Sequence, residues 1–142
     1  MEILIDTNVF IDMFQKRQPF TDFATAVITS CVNGQNTGFV SSHSLSDMFY
    51  ILRKDFSATE RKELIRFICT YFTVICEQKE DFLAAVDNSL SLDMEDVLQM
   101  QCAKKHMIFW KCMGIGQISG AEASAIKIYS IYRGFNVERF GS

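Results

Sequence analysis

The chain has 142 residues, 49% hydrophobic and 22% charged, which is ordinary globular composition and enough for one domain with a substantial core. A formal net charge of -3 excludes an overall basic field as the means of attracting nucleic acid. No signal peptide or uninterrupted apolar stretch of membrane length is visible, so a cytoplasmic protein with no membrane contact is expected.

Glu2 to Ile5 of the opening MEILIDTNVFID read as a short buried strand ending on a carboxylate, Asp6. The polar pair Thr7-Asn8 follows, then an apolar run closing on Asp12, then the polar MFQKRQPF with the only proline, suited to a loop or a first helical turn. Phe20, Phe23, Ala24, Val27, Ile28, Cys31 and Val32 have the spacing of a helix with one buried face, stopped by Asn33-Gly34. Residues 37–41 (TGFVS) fit a second strand, and Ser44-Leu45-Ser46-Asp47 carries a helix-starting pattern. Ser57-Ala58-Thr59-Glu60 is a fuller capping box, opening a helix with Leu64, Ile65, Phe67 and Ile68 on its apolar face. YFTVIC (71–76) predicts a third strand, 79–90 a helix, and LDMED (92–96) the acidic first turn of another. MIFW (107–110) fits a fourth strand and IKIYSI (126–131) a last one, with Gly114, Gly116 and Gly120 breaking the pattern between them. Strands alternating with helices imply a parallel sheet covered on both faces.

Five cysteines, an odd number without a CxxC pair, lie mostly in apolar runs and are expected to be small buried hydrophobes in a reducing compartment. Thirteen phenylalanines suggest a dense aromatic core or an apolar interface.

Three acids occupy comparable places. Asp6 ends the first strand, Asp47 stands in the first turn of the helix after the second, and Asp96 opens a later helix with Asp93 and Glu95 beside it. In an open α/β sheet, ligands sit beyond the carboxyl ends of the strands, so parallel strands put the first two acids at one edge. A helix folded back with its N-terminus at that edge would add the third. Converging carboxylates repel, and hard dications such as Mg²⁺ or Mn²⁺ relieve them. Two such ions about 4 Å apart would suit phosphodiester cleavage. Taken singly, each acid has a plainer role: helix N-cap for Asp6, dipole complement for Asp47 and Asp96. Lone His43 and His106 fit structural or surface positions, and Lys16-Arg17 and Arg53-Lys54 are ordinarily solvated, with phosphate contact the sharper alternative.

ILIDTNVFID, SSHSLSDMFYILRK and LDMEDVLQMQCAKK, in this order and spacing, resemble the PIN-domain family, closest to its bacterial branch of VapC-type toxins. The resemblance covers about residues 1–106, and its most specific part is the D-T-N-x-x-x-D pattern at the end of the first strand. It implies a single three-layer α/β/α sandwich with a central parallel sheet over residues 1–142. It also implies a Mg²⁺- or Mn²⁺-dependent endoribonuclease that hydrolyses RNA, is commonly a homodimer and is inhibited by a small antitoxin. By resemblance Asp6, Asp47 and Asp96 are the catalytic metal ligands, with Asp93 the neighbouring alternative for the third. Thr7 and Asn8 support the first loop by hydrogen bonding, and Asp12 is a structural acid. The family's usual fourth acid has no counterpart in FWKCMGIGQISG (109–120), where the sequence departs from the pattern. That departure keeps a second expectation open: a catalytically degenerate PIN domain that binds RNA or a protein partner without cutting.

Overall fold

A computed structural model describes residues 2–87, 94–105 and 109–111. Four parallel strands, β1 (Glu2–Ile5), β2 (Thr37–Ser41), β3 (Thr73–Ile75) and β4 (Phe109–Lys111), form one sheet in the order β3-β2-β1-β4. Glu2 pairs with Thr37 and Leu4 with Phe39, so β1 and β2 end side by side.

Successive residues of a strand face opposite sides of a sheet, and here they feed two separate cores. Ile3, Ile5 and Val40 pack with residues of α1 (Thr7–Phe14), α2 (Thr21–Val32), α3 (Ser42–Ile51) and α4 (Ala58–Tyr71). Leu4 and Ile75 face the other way, onto Cys102 and Ala103 of α6 (Met94–Lys105). Ala85 of α5 (Lys79–Val86) packs with Val97 and Leu98 of α6. The result is the expected α/β/α layering. Burial of a side chain such as Leu4 or Phe10, at 1% and 0% exposure, contributes about 1.5–3 kcal/mol. Part of the phenylalanine content forms a string in the larger core: Phe10 lies edge-on to Phe72 at 5.1 Å and stacks on Phe14 at 6.2 Å.

Several boundaries move. The run from Thr7 to Phe14 is a helix, not merely an apolar connection, and it ends in a Schellman motif. Lys16 takes φ 52°, its N–H donates to Met13 O at 3.3 Å, and the Arg17 N–H donates to Asp12 O at 3.0 Å. At the end of α2, Gly34 has the positive φ of 74° that Asn33-Gly34 led one to expect. The third strand is shorter than 71–76, because Tyr71 is still in α4 and Phe72 caps it. Phe72 also fixes a glycine: a Cβ on Gly38 would run into its ring and meet Cys31 Cβ at 3.1 Å. Helix α5 leaves Phe82, Leu83 and Val86 exposed, so its apolar spacing does not define a buried face. Cys31 and Cys102 are buried as expected, whereas Cys69 and Cys76 are exposed. The expected strand at 126–131, His106, Cys112 and the acid-free stretch beyond Lys111 lie outside the described residues.

Candidate functional site

The carboxyl ends of β1 and β2 define the edge at which the chemistry gathers. Asp6 follows β1 directly and is 4% exposed. Its backbone has the extended conformation of an N-cap for α1, yet its side chain makes no capping hydrogen bond. Instead Oδ2 accepts from Asn8 Nδ2 at 3.3 Å, and Oδ1 accepts from Gln99 Nε2 at 3.1 Å. The plain capping role therefore does not describe this carboxylate. Gln99 is itself 2% exposed and sits on α6, so the bond ties the far layer of the sandwich to the end of β1. Of the two bonds only that from Gln99 is fully buried, the Asn8 bond being longer and part-buried. A buried hydrogen bond to a carboxylate contributes about 1.5–3 kcal/mol.

Asn8 thus supports Asp6 by hydrogen bonding. Thr7 is buried at 4% exposure, and its Oγ1 makes no hydrogen bond among the described residues. Asp12, one and a half turns along α1, is 0% exposed and faces the Arg17 guanidinium at 3.6 Å. The Schellman turn makes that pairing by folding Arg17 back over the last turn.

Asp47 is displaced from its expected position within α3. The helix starts at Ser42, not Ser44, because Ser41 is the cap: its Oγ accepts the Ser44 N–H at 3.1 Å. Asp47 consequently stands in the second turn, not the first, one turn beyond His43. His43 Nε2 lies 2.9 Å from Asp47 Oδ2 and 4.0 Å from Glu95 Oε1 at the start of α6. All three side chains are partly exposed, at 36%, 34% and 40%. Ligand atoms of His43, Asp47 and Glu95 all lie within 4.8 Å of one another, a separation a single cation spans. The donor set thus fits a divalent metal. Asp6 does not belong to that trio.

Asp96 is in the first turn of α6, next to Glu95, and its side chain lies outside the described residues. Asp93 lies outside them altogether. The backbone nevertheless has α6 folded back as expected, since Glu95 reaches His43 and Gln99 reaches Asp6.

Sequence reasoning passed over three participants. Glu77, two residues beyond β3, accepts a hydrogen bond from Ser42 Oγ and, at 3.4 Å, from the His43 N–H. It anchors the N-terminus of α3 where unpaired N–H groups favour a negative charge. Like Asp6, it is an acid just past a parallel strand, and that was its available signal. His43 was set aside as lone although Asp47 stands four residues on, the spacing that puts two side chains on one helix face. Gln99 has the same relation to Glu95, which places both toward the sheet edge.

A family model described as PIN domain matches residues 2–109. Among solved structures, the fold is similar to that of VapC20, a sarcin-ricin loop cleaving toxin of Mycobacterium tuberculosis. The TM-score is 0.63 at 12% identity, over 87% of this chain and 94% of that one. VapBC2 of Rickettsia felis, solved bound to a DNA fragment from its promoter, is similar at a TM-score of 0.46 and 12% identity, over 94% of this chain and 83% of that one. No curated protein sequence matches the chain.

Proposed function

The chain belongs to the PIN-domain family, and on that premise we propose that it is a metal-dependent endoribonuclease, the toxin of a toxin–antitoxin pair. The observation that carries the proposal is the gathering of acids at one sheet edge. Asp6 is held buried at the end of β1, while Asp47 and Glu95 come from helices that start at that edge. The fold likeness to a toxin that cleaves the sarcin-ricin loop supports RNA as the substrate class.

In this function Asp6, Asp47 and Asp96 hold Mg²⁺ or Mn²⁺, with Asp93 the neighbouring alternative for the third. The bound cation supplies Lewis acidity at a phosphodiester and lowers the pKa of water. The chain's own residues supply orientation. Asn8 and Gln99 fix the plane of the Asp6 carboxylate, Glu77 anchors the helix that carries Asp47, and Asp12 holds the far end of α1 through Arg17. Asn8 acts in support and not in the chemistry. The hydrogen-bonding support expected of Thr7 is not what its buried hydroxyl does, since that hydroxyl has no partner among the described residues. Residues 1–142 form one domain, working as a cytoplasmic homodimer that a small antitoxin restrains. No helix among the described residues is long and apolar enough to cross a membrane.

The test is incubation of the purified protein with RNA and Mn²⁺, beside an Asp6→Asn variant and a chelator control. Metal-dependent cleavage that the variant lacks is the expected result. The acid-free FWKCMGIGQISG stretch favours a second reading, a degenerate PIN domain that binds without cutting. RNA binding with no cleavage by the native chain would establish that second reading over the first.

A further inference from the structure

We propose that the Tyr50 ring, with Arg53 and Lys54 beside it, is a stacking platform for an unpaired base of single-stranded RNA on the flank of the cleavage site. Its role in cleavage rests on the nuclease reading above, and it names the form of RNA that reading takes: a strand left single where it runs along α3. Binding is read without metal and without cleavage, so the two readings fail separately.

Helical spacing places the platform. Ser44, Met48 and Leu52, four apart, are buried and turn one side of α3 to the core. Asp47, Tyr50 and Lys54, three and four apart, take the other side. Leu52–Lys54 is a 3₁₀ turn that continues α3, so the stripe does not break. Tyr50 therefore lies about 4.5 Å along the helix from Asp47, and Lys54 about 10 Å. A strand held at the sheet edge and running along α3 crosses both.

The ring is presented to solvent and not packed. Tyr50 is 64% exposed, and Arg53 Cζ lies 3.6 Å from its ring centre. Arg53 Nη1 also donates to the Tyr50 carbonyl at 2.9 Å, which fixes the guanidinium over one ring face. The high exposure then leaves the other face open, the surface on which a base stacks. A second pair gives the contrast. Arg61 Cζ lies 4.3 Å from the Phe49 ring centre and its Nη1 donates to the Phe49 carbonyl at 2.7 Å, with Phe49 only part-exposed. That pair ties α4 to α3, whereas the Arg53–Tyr50 pair stays within one helix and its extension. Holding helices together does not account for it.

Charge favours the same occupant. Residues 49–66 carry five Lys and Arg against three Asp and Glu in a chain of net charge -3, so the positive field is local to this face. Arg53 and Lys54 are exposed and form no ion pair among the described residues. The adjoining Asp55 accepts instead from Gln15 Nε2 at 2.6 Å. Acidic protein segments would meet the same cations. A nucleotide brings a flat π-face and a phosphate together, as the ring and the two cations are arranged to receive them.

The probe is a short 5′-labelled oligouridylate, titrated by fluorescence anisotropy into the chelator-treated full-length chain. The expected result is saturable binding, with an abasic strand of the same length and a blunt RNA duplex both competing less well than the unlabelled strand. Tyr50→Leu should weaken binding about 5- to 100-fold, the range for loss of one stacked base, while Tyr50→Phe keeps it. Arg53→Gln and Lys54→Gln should each lower the slope of log affinity against log salt by about 0.7. Far-UV circular dichroism and the urea midpoint should stay native in all four variants, because the three positions are exposed. No binding by the native chain, an abasic strand or duplex that competes as well as the unlabelled strand, or full affinity in Tyr50→Leu would each overturn the proposal. Arg53 would then only cap the last turn of α3, and the exposed face would be open to a protein partner. Binding that persists where Mn²⁺ brings no cleavage would sink the nuclease reading and leave the platform standing.

Discussion

Replacing Gln99 with leucine tests the contact that joins the two layers at the sheet edge. The side chains are similar in size, so the cavity term is small and the change removes the hydrogen bond to Asp6. Both residues are almost fully buried, at 2% and 4% exposure, so water does not readily replace the lost donor. A bond of 3.1 Å to an ionised acceptor in that setting supports a loss of about 1.5–3 kcal/mol. In an Asp6→Asn background the same substitution removes a neutral bond and should cost only about 0.5–1.5 kcal/mol. Urea unfolding of the four proteins, with the slope checked for constancy, gives the coupling, expected at about 1 kcal/mol or more. A coupling within about 0.5 kcal/mol of zero, the scatter of independent sites, would refute the reasoning. Gln99 would then not be what orients Asp6.

Other perturbations probe how the framework is held. Gly38→Ala should destabilise by about 1–3 kcal/mol, since its methyl enters the space of the Phe72 ring, and thermal or urea unfolding measures it. Lys16→Gly should stabilise by up to about 1 kcal/mol by relieving a lysine held at φ 52°, read as a raised urea midpoint. The Glu60 carboxyl is held below its ordinary value of 4.5, chiefly by the backbone N–H of Ser57 and next by that residue's hydroxyl. Its support for the start of α4 is therefore complete above the ordinary carboxylate range and lost as pH falls through the lowered value. The stability gap between the native chain and Glu60→Gln should accordingly close on acidification, and a gap independent of pH would contradict this.

Local signals in the chain carry much of the fold. Residues 37–41 are a strand with the bounds their pattern implied, and Ser57 and Glu60 form the reciprocal capping box their spacing announced. Both depend on neighbours within a few residues. Helix α1 was less legible because the apolar run after Asp6 is short, and periodicity alone does not separate a buried helix from a strand at that length. Its C-terminal stop was hidden as well, since the left-handed position holds lysine where glycine or asparagine would have signalled it. The early start of α3 had a similar cause. Four serines between 41 and 46 offer several caps, and only the end of β2 selects Ser41.

The site shows where local reasoning stops. Asp6 was legible because a strand end in a parallel sheet is a favoured place for ligands, and the family pattern marks the same residue. Asp47 was found on the correct helix, but one turn from its expected position, which changes its neighbour from backbone N–H groups to His43. Glu77, Glu95 and Gln99 acquire their roles only when β3 and α6 are brought beside β1 and α3, across sequence separations that no spacing rule spans. Gln99 contacts a residue 93 positions away, and Glu77 one 35 positions away. The elements that position Asp6 and α3 are thus tertiary, whereas the elements that nominate Asp6 and Asp47 are local. The same holds for His43, Asp47 and Glu95: helical spacing alone pairs His43 with Asp47, whereas Glu95 comes within 4.0 Å of His43 only through the packing of α3 against the start of α6.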